Sequence, residues 1–237
     1  MNRPFIKAGI VGLLVIVMSI VLLAVFPSKA VRLPDGFFTP IIAFEFIETK
    51  AEVFQLFVAT DGSVRGSMIH AMDLGNRLDY IYMCLYSLFL LLFAVKCGQI
   101  SGKKYYYIGA AVAVMVLLGD AFENIQLLGI TAGIDSGDFG AQLVRLHIFT
   151  WVKWGGIAAI FLVVAPWFMK GSMFSRVIGV TGIVSFILGI VSFLHRSIIN
   201  EIFGLSVALM FILMIIYCFT FKYDGLVKSP SAALHSP

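Results

Sequence analysis

Apolar residues run almost unbroken through positions 6–26, 79–95, 173–194 and 202–221, each close to the ~20 residues with which an α-helix crosses ~30 Å of hydrocarbon. Two further stretches, 105–130 and 141–168, are equally apolar except that the first contains Asp120 and Glu123 and the second Arg145, His147 and Lys153. This pattern predicts an all-α, polytopic membrane protein: a six-transmembrane-helix bundle forming one membrane domain over 1–222. The small, polar, Pro-containing tail 223–237 is expected to be disordered.

Between the first two spans the periodicity changes. Over 39–58 the apolar positions Ile41, Ile42, Phe44, Ile47, Val53, Phe54 and Phe57 alternate with Glu45, Glu48, Lys50 and Glu52. That spacing fits one or two short amphipathic helices, with Thr39 at the cap and Pro40 in the first helical position, lying in the interface plane or roofing the bundle. Gly62, Gly66 and Gly75 then read as breaks before the second span begins at Asp79. Small residues mark expected helix–helix seams: Gly109 with Ala113, Gly155 with Ala159, and Gly179 with Gly182 or Gly189.

Composition agrees with the pattern. Of 237 residues, 60% are hydrophobic and 13% charged, with a mean hydropathy of +1.00; a soluble domain cannot cover its surface with so few charges. The basic start at Arg3 and Lys7 and the small residues Ser28 and Ala30 imitate a secretory signal. The apolar run 8–26, at 19 residues, exceeds the usual ~7–15 of a signal core, so it reads as a retained anchor.

If six spans alternate, Arg3, Lys7, Lys96, Lys103, Lys104, Lys170, Arg176, Lys222 and Lys228 fall on one side. Under the positive-inside rule that side, with both termini, is expected to be cytoplasmic, in a bacterial inner membrane. The net charge of +4 then reflects topology. It does not form the clustered basic face that nucleic acid requires. Cys84, Cys97 and Cys218 lie in or beside spans and suggest neither a disulfide framework nor a cysteine metal motif.

The polar residues inside the spans carry what chemistry there is. An ionised Asp at a helix centre costs ~2.5–3.5 kcal/mol on the insertion scale, against a gain of ~0.3–0.6 from each large apolar residue. Asp120, Glu123 and Asn124 share one arc of the third span and must find partners. The fourth span offers them: His147, Thr150 and Lys153 recur at three-residue intervals, and Lys153 is too deep to snorkel easily to the surface. Asp79, Tyr82 and Tyr86 recur at i, i+3 and i+7 on one face of the second. The expectation is an outward-facing polar pocket made by spans two, three and four, with Lys153 the counter-ion of Asp120 or Glu123 and with Trp151 and Trp154 packed over it or lining it.

Three function classes follow. A structural or binding role comes first: a site for a small polar ligand or lipid headgroup, or a membrane subunit whose partners are lipids, other membrane chains or a second copy. A small proton-coupled transporter using Asp120, Glu123 and Lys153 is the alternative. An intramembrane lipid-modifying enzyme is weakest, because the four histidines are scattered and no nucleophile elbow, phosphate loop, metal-ligand spacing or cofactor motif is present.

The combination of AFEFIETKAEVFQLF, LDYIYMCLYSLFLLLFA, GDAFENIQLL and TWVKW, over roughly residues 40–155, resembles a family of small, uncharacterised bacterial multi-helix integral membrane proteins. The resemblance points to Asp79 with Tyr86, Asp120 with Glu123 and Asn124, and Lys153 with Trp154, and it implies no activity.

Overall fold

Helical hydrogen bonding satisfies every backbone amide within a segment, which is why apolar stretches of this length become helices in lipid. A computed structural model describes residues 3–28, 32–59 and 61–223; Lys29 and Ala30 of the signal-like stretch, and the tail beyond Tyr223 with Asp224, Lys228 and His235, lie outside the described residues. Eight helices follow in order among them: α1 (Ile6–Val25), α2 (Pro40–Glu45), α3 (Lys50–Phe57), α4 (Gly66–Ser101), α5 (Tyr106–Ala132), α6 (Gly140–Phe168), α7 (Met173–Leu194) and α8 (Ile198–Thr220). The described residues form no strand, and six helices, all but α2 and α3, are long and apolar enough to cross a membrane.

Short connections make successive spans antiparallel neighbours. α4, α5, α6, α7 and α8 each pack on the next, while α1 packs on both α4 and α8, so the six spans close into a ring. Its centre is filled at one end by Phe89, Phe93, Phe161, Phe168, Phe211 and Tyr217. Phe5 sits among Phe93, Trp167, Tyr217 and Phe221, which puts the start of α1 and the end of α8 at the same end of the bundle. α2 and α3 cover the other end, where Phe44, Ile47, Val53, Leu56 and Phe57 bury against Met72, Leu127, Ile130, Leu143 and Leu146.

Two boundaries differ from the sequence reading. α4 begins at Gly66 and runs for 36 residues, roughly 54 Å at 1.5 Å per residue, so it overshoots the hydrocarbon and joins the cover. The glycines there do not break it: Gly75 gives its missing side-chain volume to the ring of Phe26. α8 begins at Ile198, four residues before the apolar run, because Ser197 and Asn200 form a reciprocal capping box. Glu201 thereby enters the first turn and accepts the backbone N–H groups of Phe38 and Thr39 at 3.0 and 2.8 Å. Thr39 does occupy the cap position of α2, but its side chain makes no capping bond. Among the expected seams, Gly155 faces open space, and it is Gly156 that meets a neighbour, Val116.

One guanidinium helps to pin the cover. Arg196, between α7 and α8, donates to the carbonyl of Phe46 at 2.8 Å and pairs with Glu52 and, at 3.8 Å, with Glu48. Burial alone would raise the Glu52 carboxyl. The hydrogen bond from Arg196, the N–H groups of Glu48 and Thr49, and the Arg196 charge outweigh it and hold Glu52 below the usual carboxylate range. A depressed folded-state value means that the pair stabilises the protein above the ordinary carboxylate pKa and that this contribution fades as pH falls through the folded value. Glu52→Gln should therefore lower stability by about 0.2–1 kcal/mol at neutral pH, as partly exposed pairs do, and the two proteins should converge below that titration in detergent unfolding curves recorded against pH.

Candidate functional site

Lys153 lies near the middle of α6 with its side chain 8% exposed. An ammonium so nearly buried needs carboxylate partners. It pairs with Glu123, with Glu45 at 3.0 Å and with Asp120 at 3.5 Å. The close approach of α5 to α6 that makes this reach possible comes from Gly119, whose added Cβ would stand 2.6 Å from the Val152 side chain and 3.3 Å from the Lys153 backbone nitrogen.

Around this centre each acid has further partners. Thr150 donates its hydroxyl to Glu123 Oε1 at 2.6 Å and also lies 3.1 Å from the Glu45 carbonyl. The Tyr86 hydroxyl donates to Asp120 Oδ2. Asn124 donates to Asp79 Oδ2 at 2.7 Å, and the Trp154 indole N–H donates to Glu45 Oε2 at 2.8 Å. Tyr82 stacks edge-on against Tyr86, its hydroxyl 3.3 Å from Ser19 Oγ on α1. The expected pairing of Lys153 with the third-span acids is thus present, with both of them.

Of the residues singled out from sequence, Asp79, Tyr82, Tyr86, Asp120, Glu123, Asn124, Lys153 and Trp154 come together, and His147 does not. His147 is exposed and lines a separate polar pocket of about 240 Å³ with Glu48, His195 and Arg196. The stripe drifts because a three-residue step falls about 60° short of a full turn, so two steps turn His147 about 120° from Lys153. Trp151 packs against Phe46 and Phe193, away from the charges.

Glu45 is the participant that sequence reading left on the solvent face. In one continuous helix, Glu45, Glu48 and Glu52 would share that face. The chain instead leaves helical geometry between Phe46 and Thr49, which frees Glu45 to turn inward. Burial pushes its carboxyl up from the usual range, the Lys153 charge opposes that, and the Asp120 charge adds to it.

The cluster borders a cavity of about 510 Å³, inside the ~300–1,000 Å³ common for small-molecule sites. Glu45, Asp79, Asp120 and Lys153 form its polar end, beside Tyr82, Tyr86 and Trp154. Its remaining wall is mostly apolar and comes, apart from Ile157 of α6, from α1 (Val15, Ile16, Ile20, Leu23) and α8 (Val207, Ala208, Phe211, Ile212, Ile215), the two spans that the sequence reading had left out of the pocket.

No family model, curated protein or solved structure matches this chain. The resemblance over residues 40–155 therefore adds no role to the cluster, and its chemistry rests on geometry.

The geometry has a direction. α1 and α8 touch where Gly9 meets Cys218 and Phe219 and where Gly12 meets Ile215. Toward the α2 end, Ile20 and Leu23 of α1 and Ala208 and Ile212 of α8 line the cavity and are at the same time exposed. The polar end faces the ring's interior, and the apolar end reaches the outer surface of the bundle between two spans.

Proposed function

We propose that this protein is a binding protein for an amphiphile in the bacterial plasma membrane, with both ends of the bundle's chain cytoplasmic and the α2–α3 cover on the opposite side. The basic loops gathered on one side support the orientation. One observation carries the binding role: the cavity joins an apolar wall, exposed between α1 and α8, to a charged end near mid-span. A lipid-borne molecule can leave the acyl region sideways, keep its chain against Ile16, Ile20, Ala208 and Ile212, and place its head among Asp79, Asp120, Lys153 and Trp154. Free ligand in the membrane or a chain held by a larger complex would use the same groove.

Ala208→Trp tests this, since it fills the apolar part of the cavity from the exposed side and leaves the charge cluster intact. Native mass spectrometry from a non-ionic detergent should show amphiphile adducts on the wild-type protein and their loss in the variant, at an unfolding temperature within a few degrees of wild type. Equal adduct occupancy in both proteins overturns the reading.

A second reading, proton-coupled carriage, is favoured by Glu45, which lines both the cavity and the pocket containing His147 and His195. A carboxyl between two compartments can exchange protons with either. Uptake of a lipophilic solute by liposomes that depends on a pH gradient and is abolished by Glu45→Gln would favour carriage over simple binding.

A further inference from the structure

The charges around Lys153 do not balance. Glu45, Asp79, Asp120 and Glu123 place four carboxyl groups about one ammonium. Among the described residues no other Lys or Arg lies within ion-pair distance of these four. A buried carboxylate that lacks a counter-ion is costly, so the cluster favours whatever brings positive charge to it, a proton or a cation. Asp120 shows the excess most directly. It is 1% exposed and borders the cavity, yet among the described residues its Oδ1 accepts no hydrogen bond and has only Lys153 Nζ, 3.5 Å away. Asp79, which also lines the polar end, spends one oxygen on Asn124.

An anionic head would meet three cavity-lining carboxyl groups against one ammonium, that of Lys153, which is already paired with Glu45, Asp120 and Glu123. A neutral hydroxyl head would fill hydrogen bonds but leave the excess untouched. A cation corrects both, and aromatic faces accept it: Tyr82, Tyr86 and Trp154 stand at the same end of the cavity, and Lys153 already lies 5.4 Å from the Trp154 ring centre.

We infer that the amphiphile bound between α1 and α8 carries an ammonium head, held by Asp79 and Asp120 beneath Tyr82 and Trp154. This rests on the binding role proposed above and goes further by assigning the head's charge. The lipid tail contributes affinity against α1 and α8, whereas selection among amphiphiles comes from the acids.

Three probes with one dodecyl chain separate the two ideas: dodecyltrimethylammonium, dodecanol and dodecyl phosphate, each titrated below its micellar concentration into the full chain in a non-ionic detergent, with Ala208→Trp as the background. The ammonium should bind about tenfold or more tightly than the other two, a difference of about 1.4 kcal/mol. Asp79→Asn, which keeps shape and a partner for Asn124, should remove most of that preference by weakening the ammonium far more than it changes dodecanol; Asp120→Asn should do the same if it folds. Dodecanol or dodecyl phosphate binding as tightly as the ammonium, above background, overturns the head assignment and leaves the cavity's role intact. If none of the three exceeds the Ala208→Trp background, the binding role itself fails.

Discussion

Lys153→Met should destabilise the protein by about 3–5 kcal/mol, the range found when one partner of a buried ion pair is removed. Methionine preserves the stem's volume, so packing against Trp154 is largely kept and the loss is electrostatic. Glu45, Asp120 and Glu123 would then face one another without a counter-ion, with side chains 12%, 2% and 0% exposed. Adding Glu123→Gln removes the most buried of those acids and retains an acceptor for Thr150, so the double variant should recover about 1–3 kcal/mol, a coupling typical of groups in direct contact. Detergent unfolding of the four proteins gives the cycle. Additive effects would mean that Lys153 and Glu123 do not share a site. Acidification should also rescue the single variant in part, because protonation neutralises the stranded carboxylates.

Gly119→Leu is expected to have the second-largest effect, by a separate route. α5 and α6 approach so closely at this glycine that even a Cβ would press on Val152. A leucine forces the helices apart or drives neighbours off rotamer, at about 1–3 kcal/mol or more. The displaced neighbour is the backbone that carries Lys153, so the harm extends from packing to charge pairing. The same substitution at Gly155, which faces open space, should change the unfolding temperature little. That contrast, measured in one detergent, separates a seam from an exposed helix face. Comparable losses at both positions would refute the assigned register of α5 on α6.

Much of this was legible before any coordinates. Charged residues in an apolar span are conspicuous because hydrocarbon cannot solvate them, so Asp120, Glu123 and Lys153 predicted one another. Asp79, Tyr82 and Tyr86 were legible for a different reason: their spacing returns to one helix face. Glu45 was not, since a carboxylate on an amphipathic segment looks the same whether it meets water or turns inward, and only the break after α2 decides. Arg196 and Glu201 were equally silent. Their partners, Glu52 in one case and the N–H groups of Phe38 and Thr39 in the other, lie far away in the chain, and no periodicity reports contacts at that separation.

Hydrophobic runs of spanning length thus determined that the chain forms six helices long and apolar enough to cross a membrane, and the cost of burying charge determined that its polar residues must converge. Those are one-dimensional consequences of transfer free energy, which a sequence carries in full. The closure of α1 against α8, the gap they leave beside Ala208, and the inward turn of Glu45 depended on how the helices pack. Only the tertiary structure decides such relations, because glycine seams and helix breaks set distances between segments that share no local pattern.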